Sequence, residues 1–121
     1  MTKLLVIEDE ELIRESIVNL LNARGFSAMG AEDGRIGLRL AKETSPDLIL
    51  CDLRMPEVDG YEVLRTLRQD SITATVPFIL LTAEISPDVL RQGQLLGANG
   101  YLTKPFATAD LLEAIATHLK K

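Results

Sequence analysis

Short, continuous apolar runs alternate with amphipathic stretches along the whole chain. Residues 4–7, 48–51 and 78–81 are apolar throughout, which is the pattern of strands that are covered on both faces of a parallel sheet. Residues 26–29 and 100–103 indicate two further strands, of which the first is the weaker. The runs therefore predict five buried strands.

Between these runs, apolar residues recur at helical spacing. Asp33 opens one helix, Asp59 caps a second over residues 60–69, and Ser86 caps a third. The remaining two are the first helix, which ends near Gly25, and the last helix of the chain. Five strands that alternate with five helices predict an α/β fold, a doubly wound parallel sheet with right-handed crossovers.

The length and composition are those of one globular domain. A chain of 121 residues fits a single domain over residues 1–121, and we expect no effector domain within it. Apolar residues make up 46% and charged residues 26% of the chain, so a core can form without disulfides. Cys51 is the only cysteine, which excludes an intrachain disulfide and favours the reducing cytoplasm.

Membranes and nucleic acids are disfavoured as partners. Glu8 and Asp9 interrupt the N-terminal apolar run, which is too short for a signal peptide or a membrane span. The formal net charge is −5 and the Lys and Arg residues are scattered, whereas nucleic-acid binding uses a basic face. We therefore expect this domain to bind neither a membrane nor a nucleic acid directly.

Polar residues stand at the ends of three predicted strands. Asp9, Asp52 and Thr82 each lie at a carboxyl end, the edge where open α/β sheets bind ligands. Together with Glu8 this edge would hold three carboxylates, and neighbouring negative charges raise one another's pKa values. A hard divalent cation with oxygen ligands relieves that cost, and Mg²⁺ suits such a site. Each residue alone has an ordinary explanation, such as a helix cap for Asp9, but their joint placement favours one metal site.

Several short motifs are specific when they are taken together. With them the chain resembles the receiver family of two-component signalling, including its chemotaxis-regulator-like members, over essentially its whole length. The resemblance implies the flavodoxin-like receiver fold with strand order 2-1-3-4-5. The motifs are Glu8-Asp9, Asp52 with Met55-Pro56 and Asp59-Gly60, Thr82-Ala83, Gly97-Ala98, and Tyr101-Leu102-Thr103-Lys104-Pro105-Phe106.

The resemblance implies a phosphoacceptor and a metal site. Asp52 would accept a phosphoryl group from a phosphohistidine of a sensor histidine kinase or a phosphotransfer protein. Mg²⁺, for which Mn²⁺ could substitute, would be held by Asp9, by Asp52 and by the backbone carbonyl of Arg54. Glu8 would act on the ion through a bound water, although Asp is commoner than Glu at its position.

The resemblance also implies which residues contact the phosphoryl group and which respond to it. Lys104 and Thr82 would each contact a phosphoryl oxygen, and the bond from Lys104 to Pro105 would be cis. Thr82 and Tyr101 would form the switch, although Tyr101 also fits an ordinary half-buried strand position. The readout would be the face of the fourth helix, fifth strand and fifth helix, which would control a downstream protein or an effector domain.

Arg54 and Glu84 lie two residues beyond Asp52 and Thr82, respectively. We hypothesise that they pair across the mouth of the site and slow hydrolysis of the phosphate. The alternative is two exposed charges that contribute little, as is common for surface pairs.

Three other functions are conceivable. A nucleotide- or flavin-binding domain of similar architecture needs a first loop that cradles phosphates, whereas residues 8–11 are all acidic. A phosphohydrolase that uses Asp52 would have a second acid at the position of Arg54. A degenerate, receiver-like interaction module would lack the acid pair, the acceptor or Lys104. We therefore predict a signalling phosphoacceptor that assists its own phosphorylation and dephosphorylation and is not an enzyme in the ordinary sense.

The sequence leaves the output open. The chain stops soon after the predicted last helix, so it fits a complete single-domain regulator as well as the receiver of a longer protein. The cognate kinase and a phosphorylation-dependent homodimer are equally open. Cys51 is expected to be an inert core thiol and His118 a surface residue.

Overall fold

Five strands and five helices alternate along the chain. The computed structural model describes residues 1–119. The strands are β1 (Lys3–Ile7), β2 (Ser27–Ala31), β3 (Leu48–Asp52), β4 (Phe78–Thr82) and β5 (Gly100–Thr103). The helices are α1 (Glu11–Ala23), α2 (Gly34–Thr44), α3 (Gly60–Gln69), α4 (Pro87–Leu96) and α5 (Thr108–His118).

All strands are parallel and lie in the order β2-β1-β3-β4-β5. The order reverses direction at β1, which pairs with both β2 and β3. The carboxyl ends of β1 and β3 are therefore neighbours, with Ile7 opposite Cys51. This order confirms the doubly wound receiver-like sheet and puts the switch point beside Asp52.

The strands carry two cores because successive side chains point to opposite faces. Leu5 and Ile7 belong to the core beneath α2, α3 and α4, together with Cys51, which is fully buried as expected. Leu4 and Val6 belong to the core beneath α1 and α5. Coverage on both faces explains why three of the strands contain four consecutive apolar residues, at 4–7, 48–51 and 78–81.

Three helices, α2, α3 and α4, begin at the capping residues that the sequence indicates. The side chains of Asp33, Asp59 and Ser86 accept hydrogen bonds from backbone N–H groups at 2.8, 3.0 and 3.2 Å, respectively. At the other end of α4, Gly97 has φ +98°, a left-handed conformation that suits glycine after a helix. These caps place the ends of α2, α3 and α4.

Two sequence predictions differ in detail. The second strand covers Ser27–Ala31 and not residues 26–29, because it pairs with β1 up to Ala31. His118 is half-buried rather than at the surface. Its ring lies over Gly100, where an added Cβ would come within 2.7 Å of Nε2.

Within residues 1–119, no helix has the length and apolar composition needed to cross a membrane.

Candidate functional site

Three carboxylates meet at the carboxyl ends of β1 and β3. Glu8 and Asp9 follow β1 directly, and Asp52 is the last residue of β3. One carboxylate oxygen from each lies within 4.8 Å of the other two. The structure therefore brings together the acidic residues that the sequence predicted as neighbours.

Lys104 closes the site from the far end of the chain. Its Nζ lies 2.9 Å from Oε1 of Glu8 and 3.1 Å from Oδ1 of Asp52. Its backbone N–H donates to the carbonyl of Thr82 at 2.7 Å, which continues the pairing of β4 with β5. The peptide bond from Lys104 to Pro105 is cis, as predicted.

Glu8 is the most enclosed member of the site. Its side chain is fully buried, and its Oε2 accepts the backbone N–H of Glu10 at 3.1 Å. Nη1 of Arg14 donates to the carbonyl of Glu8 at 2.8 Å. With Lys104 on Oε1 and the N–H of Glu10 on Oε2, both carboxylate oxygens of Glu8 have a protein partner. Sequence reasoning missed Arg14, since a helix residue six positions along carries no motif that marks such a contact.

Burial and charge shift the acid–base properties of the site. Burial raises the pKa of Glu8 above its ordinary value and outweighs the hydrogen bond from Lys104. Burial also raises the pKa of Asp52, and the charge of Asp9 adds to that rise. Burial opposes the charge on Lys104, but its hydrogen bonds with Glu8 and Asp52 leave its pKa raised. Burial is thus the main cause of both raised carboxyl pKa values, and it disfavours the charged form of each acid.

The loop after Asp52 turns back tightly over the end of β3. The N–H of Leu53 donates to the carbonyl of Leu81 at 2.8 Å, and the N–H of Gly60 donates to the carbonyl of Leu53 at 2.9 Å. A Cβ on Gly60 would lie 2.7 Å from the carbonyl oxygen of Asp52, so only glycine fits at this start of α3. Met55, which belongs to the same motif, is buried.

Thr82 is engaged with the loop after β4. Its Oγ1 donates to the carbonyl of Glu84 at 3.0 Å and lies 3.3 Å from the amide nitrogen of the same residue. The side chains of Arg54 and Glu84 are exposed. In the described residues no ion pair joins the two, so their pairing at the mouth stays a prediction.

Tyr101 lies half-buried on β5 and reaches α4. Its hydroxyl donates to the backbone carbonyl of Leu90 at 3.0 Å. Burial raises its pKa above the ordinary value. The residue is therefore seated against a helix, which the sequence did not indicate.

The donor set fits a hard divalent ion. Carboxylate oxygens are the ligands that Mg²⁺ prefers, and the three acids described above are close enough to share one ion. These three carboxylates face a single ammonium, that of Lys104, so negative charge exceeds positive charge among these side chains. A bound cation would remove that surplus.

Comparison with known proteins decides the family. A model of the response regulator receiver domain matches residues 4–116. This chain belongs to the response regulator receiver family. It is the receiver domain of a two-component response regulator, and its acidic cluster fits the phosphorylation site of the family. The nucleotide- and flavin-binding alternatives are thereby set aside.

Both relatives and solved structures resemble the receiver closely. RpaA of Synechocystis, a DNA-binding dual master transcriptional regulator, is 37% identical over 100% of this chain and 50% of its own length. The chemotaxis protein CheY4 of Vibrio cholerae has a TM-score of 0.95 and 34% identity, with 98% of this chain and 99% of that chain covered. The receiver thus spans about half the length of the transcriptional regulators that it matches.

One further structure bears on the metal. The receiver domain of the sensor histidine kinase PA1611 from Pseudomonas aeruginosa holds a magnesium ion coordinated in its active site cleft. It is 31% identical to this receiver, with a TM-score of 0.88, and the match covers 97% of this chain and 96% of that chain. Its fold and the acidic cluster described above agree with magnesium binding as a property of receiver domains.

Proposed function

We propose that Asp52 is the phosphoacceptor of this receiver and takes its phosphoryl group from a phosphohistidine of a kinase or phosphotransfer protein. The observation that carries the proposal is the position of Asp52. The residue is only 5% exposed, and its carboxylate oxygen Oδ1 lies 3.1 Å from Nζ of Lys104. A nucleophile and a cation are thus held side by side at the edge of the sheet. Phosphoryl transfer depends on such positioning and charge neutralisation.

The transfer exchanges one bond to phosphorus for another. An oxygen of Asp52 forms a bond to phosphorus while the phosphorus–nitrogen bond breaks, and the electron pair of that bond stays on the histidine ring. Lys104 pairs with a phosphoryl oxygen in place of its contacts with Glu8 and Asp52. The hydroxyl of Thr82 turns from the carbonyl of Glu84 to donate to a second phosphoryl oxygen.

Asp9, Asp52 and the backbone carbonyl of Arg54 would hold Mg²⁺, and Glu8 would contact the ion through a water. When bound, the ion neutralises charge on the transferred group. Manganese offers the same oxygen chemistry and is expected to substitute.

The proposed donor approaches beside Lys104. Leu12 on α1 is 82% exposed, and it lines a groove with Ile13, Pro105 and Phe106 that reaches Lys104. An exposed apolar side chain that forms part of an apolar groove beside a charged site indicates a contact surface, whereas a single isolated apolar side chain does not. The donor protein would cover this groove while its phosphohistidine faces Asp52.

The proposed output surface lies on the other side of the site from the donor groove. Release of Thr82 from Glu84 changes the loop before α4, and Tyr101 moves with it. The surface of α4, β5 and α5 would then bind a downstream protein or an effector domain. The longer relatives that are transcriptional regulators support a receiver that controls gene expression through such a domain.

The direct test is chemical. Incubation with acetyl phosphate and Mg²⁺ should add one phosphoryl group to the intact mass, and the adduct should be labile to base. Asp52→Asn should abolish it, whereas the control Asp88→Asn, an exposed acid on α4, should not. Absence of an adduct in the wild type, or its persistence in Asp52→Asn, would overturn the proposal.

A further inference from the structure

We propose that Gly93 forms a slot in α4 that holds Tyr101 in the resting state, and that this slot sets how readily Tyr101 leaves when Asp52 is phosphorylated. The inference rests on the proposed switch role of Tyr101. It assigns to Gly93 a positioning role, since the residue contacts the switch and not the reacting atoms.

The slot is visible in the contacts of the tyrosine ring. A Cβ built on Gly93 would lie 2.5 Å from Oη of Tyr101, 2.8 Å from Cε2 and 3.0 Å from Cζ. The first two distances are shorter than non-bonded atoms tolerate without a shift of one partner. The ring can therefore lie where it does only because position 93 has no side chain.

The hydroxyl group fixes the ring within the slot. Oη of Tyr101 donates to the carbonyl of Leu90 at 3.0 Å, one helical turn before Gly93 on α4. The ring also packs beside the core beneath α2, α3 and α4. One hydrogen bond and one close backbone contact together define the resting position.

Glycine is an unfavourable choice at this point of the helix unless the slot requires it. Gly93 is buried in the interior of α4, where glycine lowers the helix-forming equilibrium constant roughly fivefold relative to alanine. No left-handed conformation explains it, because the positive-φ glycines of the described chain are Gly25 and Gly97. The contact with Tyr101 supplies the missing reason.

The slot is connected to the phosphorylation site through the start of α4. The N–H of Leu90 donates to the carbonyl of Ser86, and the loop before Ser86 carries Glu84, whose carbonyl accepts from Thr82. Thr82, which would release Glu84 on phosphorylation, thus lies on the same short segment as the carbonyl of Leu90, which accepts from Tyr101. A shift of this segment would loosen the tyrosine, and a displaced tyrosine would favour the shifted segment.

A methyl group at position 93 should therefore act like phosphorylation. These close contacts are with the far end of the tyrosine side chain, so the ring can move at lower cost than the helix backbone. In Gly93→Ala, Tyr101 should lose its bond to Leu90 and leave the slot. The resting protein should then populate the displaced ring position.

Nuclear magnetic resonance of ring-labelled tyrosine tests this directly, because the chain has two tyrosines and Tyr61→Phe leaves the Tyr101 signal alone. The probe for the phosphorylated state is beryllofluoride with Mg²⁺, which mimics an acyl phosphate. We expect the Tyr101 signal of free Gly93→Ala to move more than halfway to its position in beryllofluoride-treated wild type. Gln94→Ala, a change at an exposed neighbour on α4, should leave it in place. A Gly93→Ala signal that stays at the resting position would overturn the slot.

A double-mutant cycle of folding stability, with Gly93→Ala and Tyr101→Ala, keeps the test decisive if Gly93→Ala is poorly stable. In a Tyr101→Ala background, where the ring is absent, Gly93→Ala should raise the folding equilibrium constant roughly fivefold. With Tyr101 present, the gain should shrink or reverse. Equal gains in both backgrounds would contradict the slot. Failure of wild type to respond to beryllofluoride would instead contradict the proposed function, while the cycle would still report on Gly93.

Discussion

The ammonium of Lys104 lies 2.9 Å from the carboxylate of Glu8, which is fully buried and 96 residues away in the chain. The same ammonium is 3.1 Å from Asp52. Glu8 therefore competes with Asp52 for the only cation that contacts either acid in the described ion pairs. This pairing ties the ends of β1 and β3 to the segment after β5.

Loss of Lys104 should leave a buried negative charge without compensation. We expect Lys104→Met to lower the free energy of unfolding at pH 7, without Mg²⁺, by about 2 kcal/mol. Adding Glu8→Gln should restore most of that loss, because the amide carries no charge. Urea unfolding of the two single variants and the double variant measures the coupling. Additive effects would show that the pair does not stabilise the fold.

Mg²⁺ should stabilise the receiver through the acidic cluster. At a free concentration tenfold above its Kd, the ion should raise the free energy of unfolding by about 1.4 kcal/mol. Asp9→Asn should remove this gain and should also stabilise the ion-free protein, because the charge of Asp9 raises the pKa of Asp52. Thermal unfolding with Mg²⁺ and with a chelator provides the comparison. Asp88→Asn should keep the full gain, and equal gains in both variants would place the ion elsewhere.

Arg68 should hold the C-terminal end of α4 in place. Its Nε and Nη2 donate to the carbonyl of Gly97 at 3.2 and 2.9 Å, and Nη2 also donates to Asn99 at 3.0 Å. We expect Arg68→Met to cost about 1.5–3 kcal/mol in urea unfolding, the range for hydrogen bonds that involve a charged group. Arg68→Lys keeps the charge but not the forked donors, so it should recover less than half. Full recovery by lysine would mean that charge alone matters.

Burial on both sheet faces made most of the fold readable from the sequence. The apolar runs of β1, β3 and β4 predicted strands that are covered on both faces of a parallel sheet, and side-chain caps marked the starts of α2, α3 and α4. Ser27–Ala31 was placed less well, because only Ala31 in that strand is buried and Gly30 weakens the pattern. An edge strand with one half-covered face gives a weak periodic signal.

The acidic cluster was predictable because parallel strands end at a common edge, so residues after β1 and β3 must meet. The side-chain partners were not predictable. Glu8 reaches Lys104, and Arg14 reaches the carbonyl of Glu8, through rotamers that depend on packing. The slot at Gly93 was also missed, since a glycine within a helix gives no sign of which side chain lies against it.

Asp70 should confer a pH-dependent increment of stability. The N–H of Ile72 and the ammonium of Lys42 both bind its carboxylate and lower its pKa below the ordinary value. A carboxyl with a lowered folded-state pKa stabilises the fold above its unfolded-state pKa, and the gain disappears as pH falls through the folded-state value. Asp70→Asn should therefore lower the urea midpoint at pH 7, and its difference from wild type should shrink as pH falls below about 4 and vanish below the folded-state pKa of Asp70. Glu43→Gln is an acid-to-amide control at another exposed site, and a difference for Asp70→Asn that grows on acidification would contradict the assignment.

Ser45 should be a site where glycine stabilises the fold. It ends α2 with φ 48° and ψ 63°, a left-handed conformation that costs a residue with a Cβ about 1–2 kcal/mol. Glycine removes that cost but loses about 0.5–1 kcal/mol through the greater entropy of the unfolded chain. We therefore expect Ser45→Gly to gain about 0.5 kcal/mol in urea unfolding.

The matched control for this position is Ser45→Ala, which keeps the Cβ and with it the backbone strain. It should show no gain, so that a gain in both variants would point to loss of the serine hydroxyl rather than relief of strain. The position lies before β3, at the edge of the sheet opposite to Asp52, which ends that strand. The rate of adduct formation with acetyl phosphate should therefore be unchanged in Ser45→Gly. An altered rate would show that the conformation at the end of α2 reaches across the sheet to the site.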